Sequence, residues 1–169
     1  PWYPIRSFIY EVSGLILMFL STSHNKIDKK GRVSVPISYR NQLESEGGSL
    51  ILFKSLQFKC IEGTSIKRMR QYVDAIDELD TLSDDASILR MMMADSFELK
   101  YDREGRVIIP EILTKFAEIE NLMVFMGIGR SFLIWSKFEY EKEYQNTRRI
   151  LNKNGPPKLS LKNKRDTNE

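Results

Sequence analysis

Cysteine and histidine are almost absent from this chain of 169 residues, which contains one of each, Cys60 and His24. A single thiol cannot form an internal disulfide, so a disulfide framework is excluded and a reducing compartment is favoured. One histidine and one cysteine cannot assemble a His/Cys zinc site, and they leave few pairs of nucleophile and base. We therefore expect no enzyme: no catalytic residues, no metal, no other cofactor and no small-molecule substrate. We interpret Cys60 and His24 as structural residues.

Long hydrophobic runs are missing as well. The most apolar segment, residues 8–20, is about 13 residues long, whereas a transmembrane helix needs roughly 20. A basic Arg6 would suit a signal peptide, but Glu11 interrupts the apolar run and argues against one. We expect residues 1–17 to be an N-terminal extension outside the fold, in front of a natural start at Met18, and we expect no membrane partner.

A strong excess of one charge sign is also lacking, because 26 basic residues face 23 acidic ones and the net charge is +3. That excess is too small to indicate nucleic-acid binding by itself. The charges are nevertheless segregated along the chain. Residues 74–85 contain six acidic and no basic side chains, whereas residues 26–32 carry four positive charges and one negative, and residues 152–169 carry five basic and two acidic.

The chain does contain an internal repeat. Residues 26–36 read KIDKKGRVSVP and residues 100–110 read KYDREGRVIIP, 74 positions further on. Six of the eleven positions are identical, with glycine and proline both in register. This self-similarity indicates that the chain is built from two copies of one unit.

Each copy of the motif predicts a tight turn between two strands. Gly31 and Gly105 can adopt the positive φ that a short hairpin turn requires. Asp28 and Asp102 can accept hydrogen bonds from amides two residues further on. The proline that ends each motif suits the first turn of a helix. We therefore expect a hairpin followed by a short helix in each half.

Hydrophobic patterning predicts the remaining elements of an α+β fold. The short helices are expected at 37–43 and 111–116, and further strands at 50–53, 58–61, 122–125 and 132–135. A longer helix closes each half, capped by Thr64 or Ser65 in the first half and by Ser136, with a Glu139 capping box, in the second. An additional helix is expected at about 84–97, where the methionines at 91–93 indicate packing.

The first turn concentrates positive charge on a protruding element. Phosphates attract such charge, a two-stranded ribbon fits the major groove, and an arginine can bind guanine through two hydrogen bonds. The second turn sums to only +1 over residues 100–106, so we expect the first to dominate. The candidate DNA-binding residues are Arg32, Lys29, Lys30, Lys26, Arg106, Arg103 and Lys100.

A purely structural interpretation of the same residues stays open. Charged turns are usually solvated tips, and Asp28 and Arg32 could form a local ion pair that fixes the hairpin. A structural role is favoured for Asp28 and Asp102, and Arg106 could equally stabilise a subunit contact.

The two Asp-x-x-x-Arg motifs, Asp28–Arg32 and Asp102–Arg106, each followed by an apolar-proline element, resemble the MraZ family. The resemblance covers roughly Met18 to Leu151. It implies two AbrB/SpoVT-type swapped-hairpin domains that form a pseudo-two-fold β-barrel with flanking helices. It also implies a ring-shaped homo-oligomer that binds short repeated boxes on double-stranded DNA upstream of the division and cell-wall gene cluster. Such a protein represses transcription there, and it is cytoplasmic and nucleoid-associated.

These expectations divide the chain into six parts: the extension 1–17, the first SpoVT-AbrB repeat 22–65, a helical connector 66–95, the second repeat 96–139, a C-terminal helix 140–151 and a disordered basic tail 152–169. A different function remains open, because the same fold type occurs in antitoxins. The alternative is an antitoxin-like protein-interaction module.

Overall fold

A computed structural model describes residues 18–161 of the chain, so the expected extension 1–17 and residues 162–169 lie outside the described part. The first half contains β1 (Thr22–Lys26), β2 (Arg32–Ser34), α1 (Ile37–Ser45), β3 (Leu50–Lys54), β4 (Ile61–Ser65) and α2 (Ile66–Asp77). After α3 (Asp84–Ala94), the second half contains β5 (Phe97–Leu99), β6 (Arg106–Ile108), α4 (Glu111–Phe116), β7 (Leu122–Gly127), β8 (Phe132–Ser136) and α5 (Lys137–Asn154). The two halves repeat one element order, and the α+β class is confirmed.

The strands of the two halves are interleaved in one antiparallel sheet. Its order is β1-β7-β8-β4-β3-β5, so each edge strand pairs with a strand from the other half. In the centre β4 pairs with β8, where Ile61 lies opposite Ile134. Because β1 and β5 are the two edges, this sheet is open in the described residues and does not close into a barrel.

The expected pairing within each repeated motif is wrong. The strands β1 and β2 flank the first turn, but β1 pairs with β7 while β2 pairs with β6. The two-stranded ribbon therefore takes one strand from each half. Its register places Arg32 opposite Ile108, Val33 opposite Val107 and Ser34 opposite Arg106.

The main core lies between this ribbon and the six-stranded sheet. The inward side chains of the ribbon, Val33 and Val107, are buried against an aromatic cluster. In that cluster the Tyr39 ring lies 5.0 Å from the Phe132 ring, and its hydroxyl donates a 2.7 Å hydrogen bond to the Ser21 carbonyl. Burial of these side chains fixes the ribbon on the core and turns its other face outward.

Most element boundaries agree with the sequence pattern to within two residues, and three elements differ by at least three residues. Strand β4 begins at Ile61 rather than residue 58, because Ser55 closes a turn there by donating its N–H to the Cys60 carbonyl. Helix α3 ends at Ala94, since Phe97 already lies in β5, where it pairs with Leu52 of β3. Helix α5 runs to residue 154, so the first three residues of the expected disordered tail are helical.

The two capping serines act as predicted, but the Glu139 side chain does not complete a capping box in the described residues and accepts a hydrogen bond from Lys142 Nζ at 3.4 Å instead. Ser65 caps α2 by accepting the Arg68 N–H at 3.1 Å, and Ser136 caps α5 by accepting the Glu139 N–H at 3.2 Å. On α2, Met69 and Ile76 are buried, whereas Val73 is exposed. Of the three methionines on α3, residue 92 is buried, residue 93 is partly buried and residue 91 is exposed.

Candidate nucleic-acid interface

The first turn is organised by one carboxylate. Asp28 accepts the backbone N–H groups of Lys30 and Arg32 through Oδ1, both at 2.9 Å, and the Nε–H of Arg32 through Oδ2 at 2.6 Å. The Asp28 carbonyl also accepts the Gly31 N–H at 3.0 Å, in a turn where Gly31 has a φ of +81°. A side chain would be strained at that φ, so glycine suits the position. Asp28 therefore shapes the turn, and it also fixes the Nε end of the Arg32 guanidinium.

The second turn repeats this geometry and adds an acidic partner. Asp102 accepts the N–H groups of Glu104 and Arg106 at 2.9 and 3.0 Å and the Arg106 Nε–H at 3.0 Å, and Gly105 has a φ of +77°. In addition, Arg106 Nη2 lies 2.8 Å from Glu104 Oε2. Two carboxylates therefore neutralise Arg106, whereas one faces Arg32.

Both turns are attached to the ribbon and share its outward face. The Gly31 carbonyl accepts the Ile109 N–H, and the Gly105 carbonyl accepts the Val35 N–H, each at 2.9 Å. Alternation along β2 and β6 leaves Arg32 and Arg106 on the face opposite the buried valines. As diagonal neighbours in the register, their backbones are separated by roughly 7–8 Å. The exchange of strands thus brings two distant motifs into one surface.

The structure places the other predicted cations at the same two turns or at the strand ends that lead into them. All five are exposed, and within residues 18–161 none lies within ion-pair distance of a carboxylate: Lys26, Lys29, Lys30, Lys100 and Arg103. The first turn presents adjacent lysines at positions 29 and 30, where the second has Arg103 and Glu104. Free positive charge is therefore denser at the first turn.

The two turn carboxylates should remain ionised at a lower pH than an ordinary aspartate. A hydrogen bond from the Arg32 backbone N–H, with that residue's side chain, holds the pKa of Asp28 below its ordinary value of 3.8, and Arg106 lowers the pKa of Asp102 in the same way. Because a depressed pKa favours the folded state above the unfolded value, this contribution is complete above about pH 4 and is lost as the pH falls through the folded pKa. Carbon-13 NMR titration of the two carboxyl groups should give midpoints below 3.8.

The Arg32→Gln variant supplies a control for this titration. It removes one hydrogen bond from Asp28 and leaves the second turn intact, so the pKa of Asp28 should move towards 3.8 while that of Asp102 stays in place. A wild-type midpoint at or above 3.8 for either carboxyl group would contradict the hydrogen-bond geometry described above.

Arg40 is a basic residue beside the second turn that the sequence pattern did not predict. The Arg40 guanidinium of α1 lies against Gly105, where an added Cβ would be 2.4 Å from Arg40 Cζ, and Arg40 Nε donates to the Val35 carbonyl at 3.2 Å. The repeat gives no signal for it, because the position 74 residues further on is Thr114. Arg40 adds positive charge beside a turn that Glu104 makes less cationic.

Neither the single cysteine nor the single histidine lies on the ribbon. Burial raises the pKa of the Cys60 thiol to about 12, so it is protonated at neutral pH. His24 is exposed on β1, with its ring 6.1 Å from that of Tyr140. In the described part of the chain, no group of three or more His, Cys, Asp or Glu residues could hold a metal ion. Among the helices of residues 18–161, none has the length and apolar composition that spanning a membrane requires.

The fold and the site together define a duplicated α+β protein with a basic, outward-facing β-ribbon. A family model described as "MraZ protein, putative antitoxin-like" matches residues 18–90 and 92–156. Similar proteins include the "Transcriptional regulator MraZ" of Pelagibacter ubique, 39% identical over 81% of this chain and 90% of that protein, and that of Rickettsia akari, 36% identical over 79% and 91%. The same name belongs to a relative from Gluconobacter oxydans, 39% identical over 70% of this chain and 76% of that protein. The chain belongs to the MraZ family, which confirms the resemblance found in the two motifs.

Proposed function

We propose that this protein is a sequence-specific DNA-binding transcriptional regulator that represses the division and cell-wall gene cluster. The observation that carries the proposal is the outward face of β2 and β6, which holds two turn-anchored arginines flanked by exposed lysines. The names of the relatives, which call them transcriptional regulators, support the same function.

The ribbon enters the major groove with the first turn leading. Lys29 and Lys30 neutralise phosphates, and the released counterions favour binding. The hydrogen bond of Arg32 Nε to Asp28 orients the guanidinium and leaves its two Nη groups free for guanine O6 and N7. A pair of such bonds discriminates against the wrong base by about 1–3 kcal/mol. The second turn, with Arg106, Arg103 and Lys100, makes the weaker contact.

Several copies act together on repeated promoter boxes. In the proposed assembly the two repeats of each chain form a swapped-hairpin unit, and the units assemble into a ring. Once one ribbon is bound, the next contact is intramolecular, so affinity rises with the number of boxes. If the protein bound the complete set of boxes with full affinity while it was monomeric, the ring would be refuted. In this proposal the protein is cytoplasmic and associates with the nucleoid.

Binding to the DNA upstream of the gene cluster tests the function directly. In electrophoretic shift and footprinting experiments, we expect protection of short boxes repeated at regular spacing. Specific affinity should exceed that for an unrelated duplex of equal length by about a thousandfold or more. Equal affinity for the two duplexes would contradict a sequence-specific regulator.

A protein-interaction module of the antitoxin type is the second candidate. It is favoured by helix α5, an 18-residue helix with no buried residue that exposes Phe138 and Ile150. Exposed apolar side chains on a surface helix suit docking to a partner. This function predicts no specific shift of the promoter fragment at any salt concentration, so the same experiment separates the two candidates.

A further inference from the structure

One large apolar side chain lies among the cations on the outward face of the ribbon. Ile108 of β6 is 62% exposed, and it belongs to none of the hydrophobic core clusters of residues 18–161. Alternation along the strand places it on the same face as Arg106, two residues earlier. Isolated exposed apolar residues are common on protein surfaces, so exposure alone does not indicate a ligand. Ile108 differs from such residues because it lies beside two arginines.

The register places Ile108 directly beside Arg32. The two residues lie opposite each other in the pair β2–β6. Because the Gly31 carbonyl accepts the Ile109 N–H at 2.9 Å, the next pair along the ribbon, Arg32 with Ile108, is a pair without backbone hydrogen bonds between its members. In such pairs the Cα atoms are only about 4.5 Å apart, so the side chains lie close together. In addition, Ile108 Cγ2 lies 3.7 Å from the position that a Cβ on Gly31 would take, which places the side chain against the first turn.

A cavity beside Ile108 leaves room for a group from another molecule. It has a volume of about 340 Å³, and Arg32 and Arg106 line it together with Ile108 and Leu99. Leu99 is partly buried against the main core. The cavity therefore combines apolar side chains with two arginines.

The internal repeat shows that the ribbon does not require an isoleucine at this position. Ser34 occupies the equivalent position in β2, 74 residues earlier, and lies opposite Arg106. Ser34 is exposed as well, and it forms part of its strand as Ile108 does. Arg32 therefore has an apolar neighbour across the ribbon, whereas Arg106 has a hydroxyl group. Since strands of the same length form with either residue, the difference concerns what the outward face contacts.

We propose that Ile108 contacts the C5-methyl group of a thymine next to the guanine that Arg32 binds. Thymine presents this methyl group in the major groove, where apolar side chains contact it. Successive bases of a strand are about 3.4 Å apart along the helix axis, and the Cβ atoms of cross-strand neighbours are about 4.5–5.5 Å apart, so Arg32 and Ile108 can reach adjacent base pairs. The inference rests on the proposed function, because it assigns a further base contact to the same face. Arg106, which faces Ser34, has no such contact beside it.

Deoxyuridine scanning of the promoter duplex tests this contact in the full chain. Deoxyuridine lacks the methyl group of thymidine and keeps its base-pairing groups. We expect one thymine in a protected box at which the substitution weakens wild-type binding by about three- to fivefold, as the loss of one buried methyl contact predicts. This thymine should adjoin the guanine at which 7-deazaguanine, which lacks the N7 acceptor, weakens the wild type but not Arg32→Gln.

The variant Ile108→Ser, which gives β6 the residue found in β2, removes the apolar partner of the methyl group. It should bind the thymine and deoxyuridine duplexes equally, about three- to fivefold more weakly than the wild type binds the thymine duplex. Two control variants should retain the preference for thymine. They are Ser34→Ala on the same face and Ile150→Ser on α5, where the isoleucine is also exposed.

The outcomes separate this contact from the proposed function. Wild-type protein that binds the promoter duplex no better than an unrelated duplex would overturn both. Specific binding that no deoxyuridine weakens would overturn the methyl contact alone, and so would an Ile108→Ser variant that keeps the preference for thymine. If the wild type showed no such preference and Ile108→Ser also assembled more weakly in sedimentation velocity, the side chain would contact a second copy instead. If circular dichroism shows that Ile108→Ser is unfolded, Ile108→Ala decides, and it should lose the preference in the same way.

Discussion

Replacing Lys29 and Lys30 together by alanine should weaken binding to promoter DNA by about 10- to 100-fold at physiological salt. Both side chains are exposed at the tip of the first turn and have no acidic partner in the described chain, so their charge is available for phosphates. Because each lost phosphate contact reduces the counterions released by about 0.9, the slope of log K against log salt should become shallower by about two. Fluorescence anisotropy titrations at several salt concentrations measure both quantities.

Two further variants make this result interpretable. Arg32→Lys retains the charge but loses the planar fork and its bond to Asp28, so specific binding should fall by about 1–3 kcal/mol while binding to unrelated DNA is unchanged. Lys142→Ala with Arg148→Ala removes two charges from α5 and should leave affinity and slope nearly unaltered. If the lysine pair and the α5 pair gave the same small change, the ribbon would not be the DNA contact.

The second large effect is on folding. Substituting Gly63 by valine should destabilise the protein by about 3 kcal/mol or more, because an added Cβ at this position would lie 2.4 Å from Phe132 Cζ. Gly63 lies opposite Phe132 in the pair β4–β8, at the centre of the sheet that joins the halves. The ring of Phe132 is itself buried among Phe19 and Tyr39 and cannot move aside. Chemical denaturation followed by circular dichroism gives the change in free energy.

A compensating variant distinguishes this close contact from a general intolerance of the strand. In Gly63→Ala with Phe132→Leu, the distal ring atoms that the new methyl would meet are gone. The double variant should be more stable than the sum of its two single changes predicts, a coupling measured by a double-mutant cycle. Strict additivity would show that the contact between positions 63 and 132 does not limit stability.

What the sequence could predict was local. The turn from Asp28 to Arg32 is closed by hydrogen bonds among five consecutive residues, so its aspartate, glycine and arginine identify it without knowledge of the rest of the chain. The caps of α2 and α5 are local in the same way. Because residues 100–110 repeat residues 26–36, the sequence also predicted that the two turns would share one geometry.

What the sequence could not predict depends on distant partners. The strand β1 is followed at once by a turn and a second strand, which favours a hairpin, yet burial of Val33 against Val107 is achieved only when β2 pairs with the other half. The contact of Arg40 with the second turn follows from that exchange, as does the close approach of Gly63 to Phe132. None of these contacts leaves a periodic pattern in the residues that make it.

Amide hydrogen exchange with and without a promoter duplex tests most directly that the ribbon and its turns form the DNA contact. The account predicts that exchange slows over residues 27–35, and to a smaller extent over residues 101–109, while α5 is unchanged. Slower exchange confined to α5, with both turns exchanging as in the free protein, would contradict it.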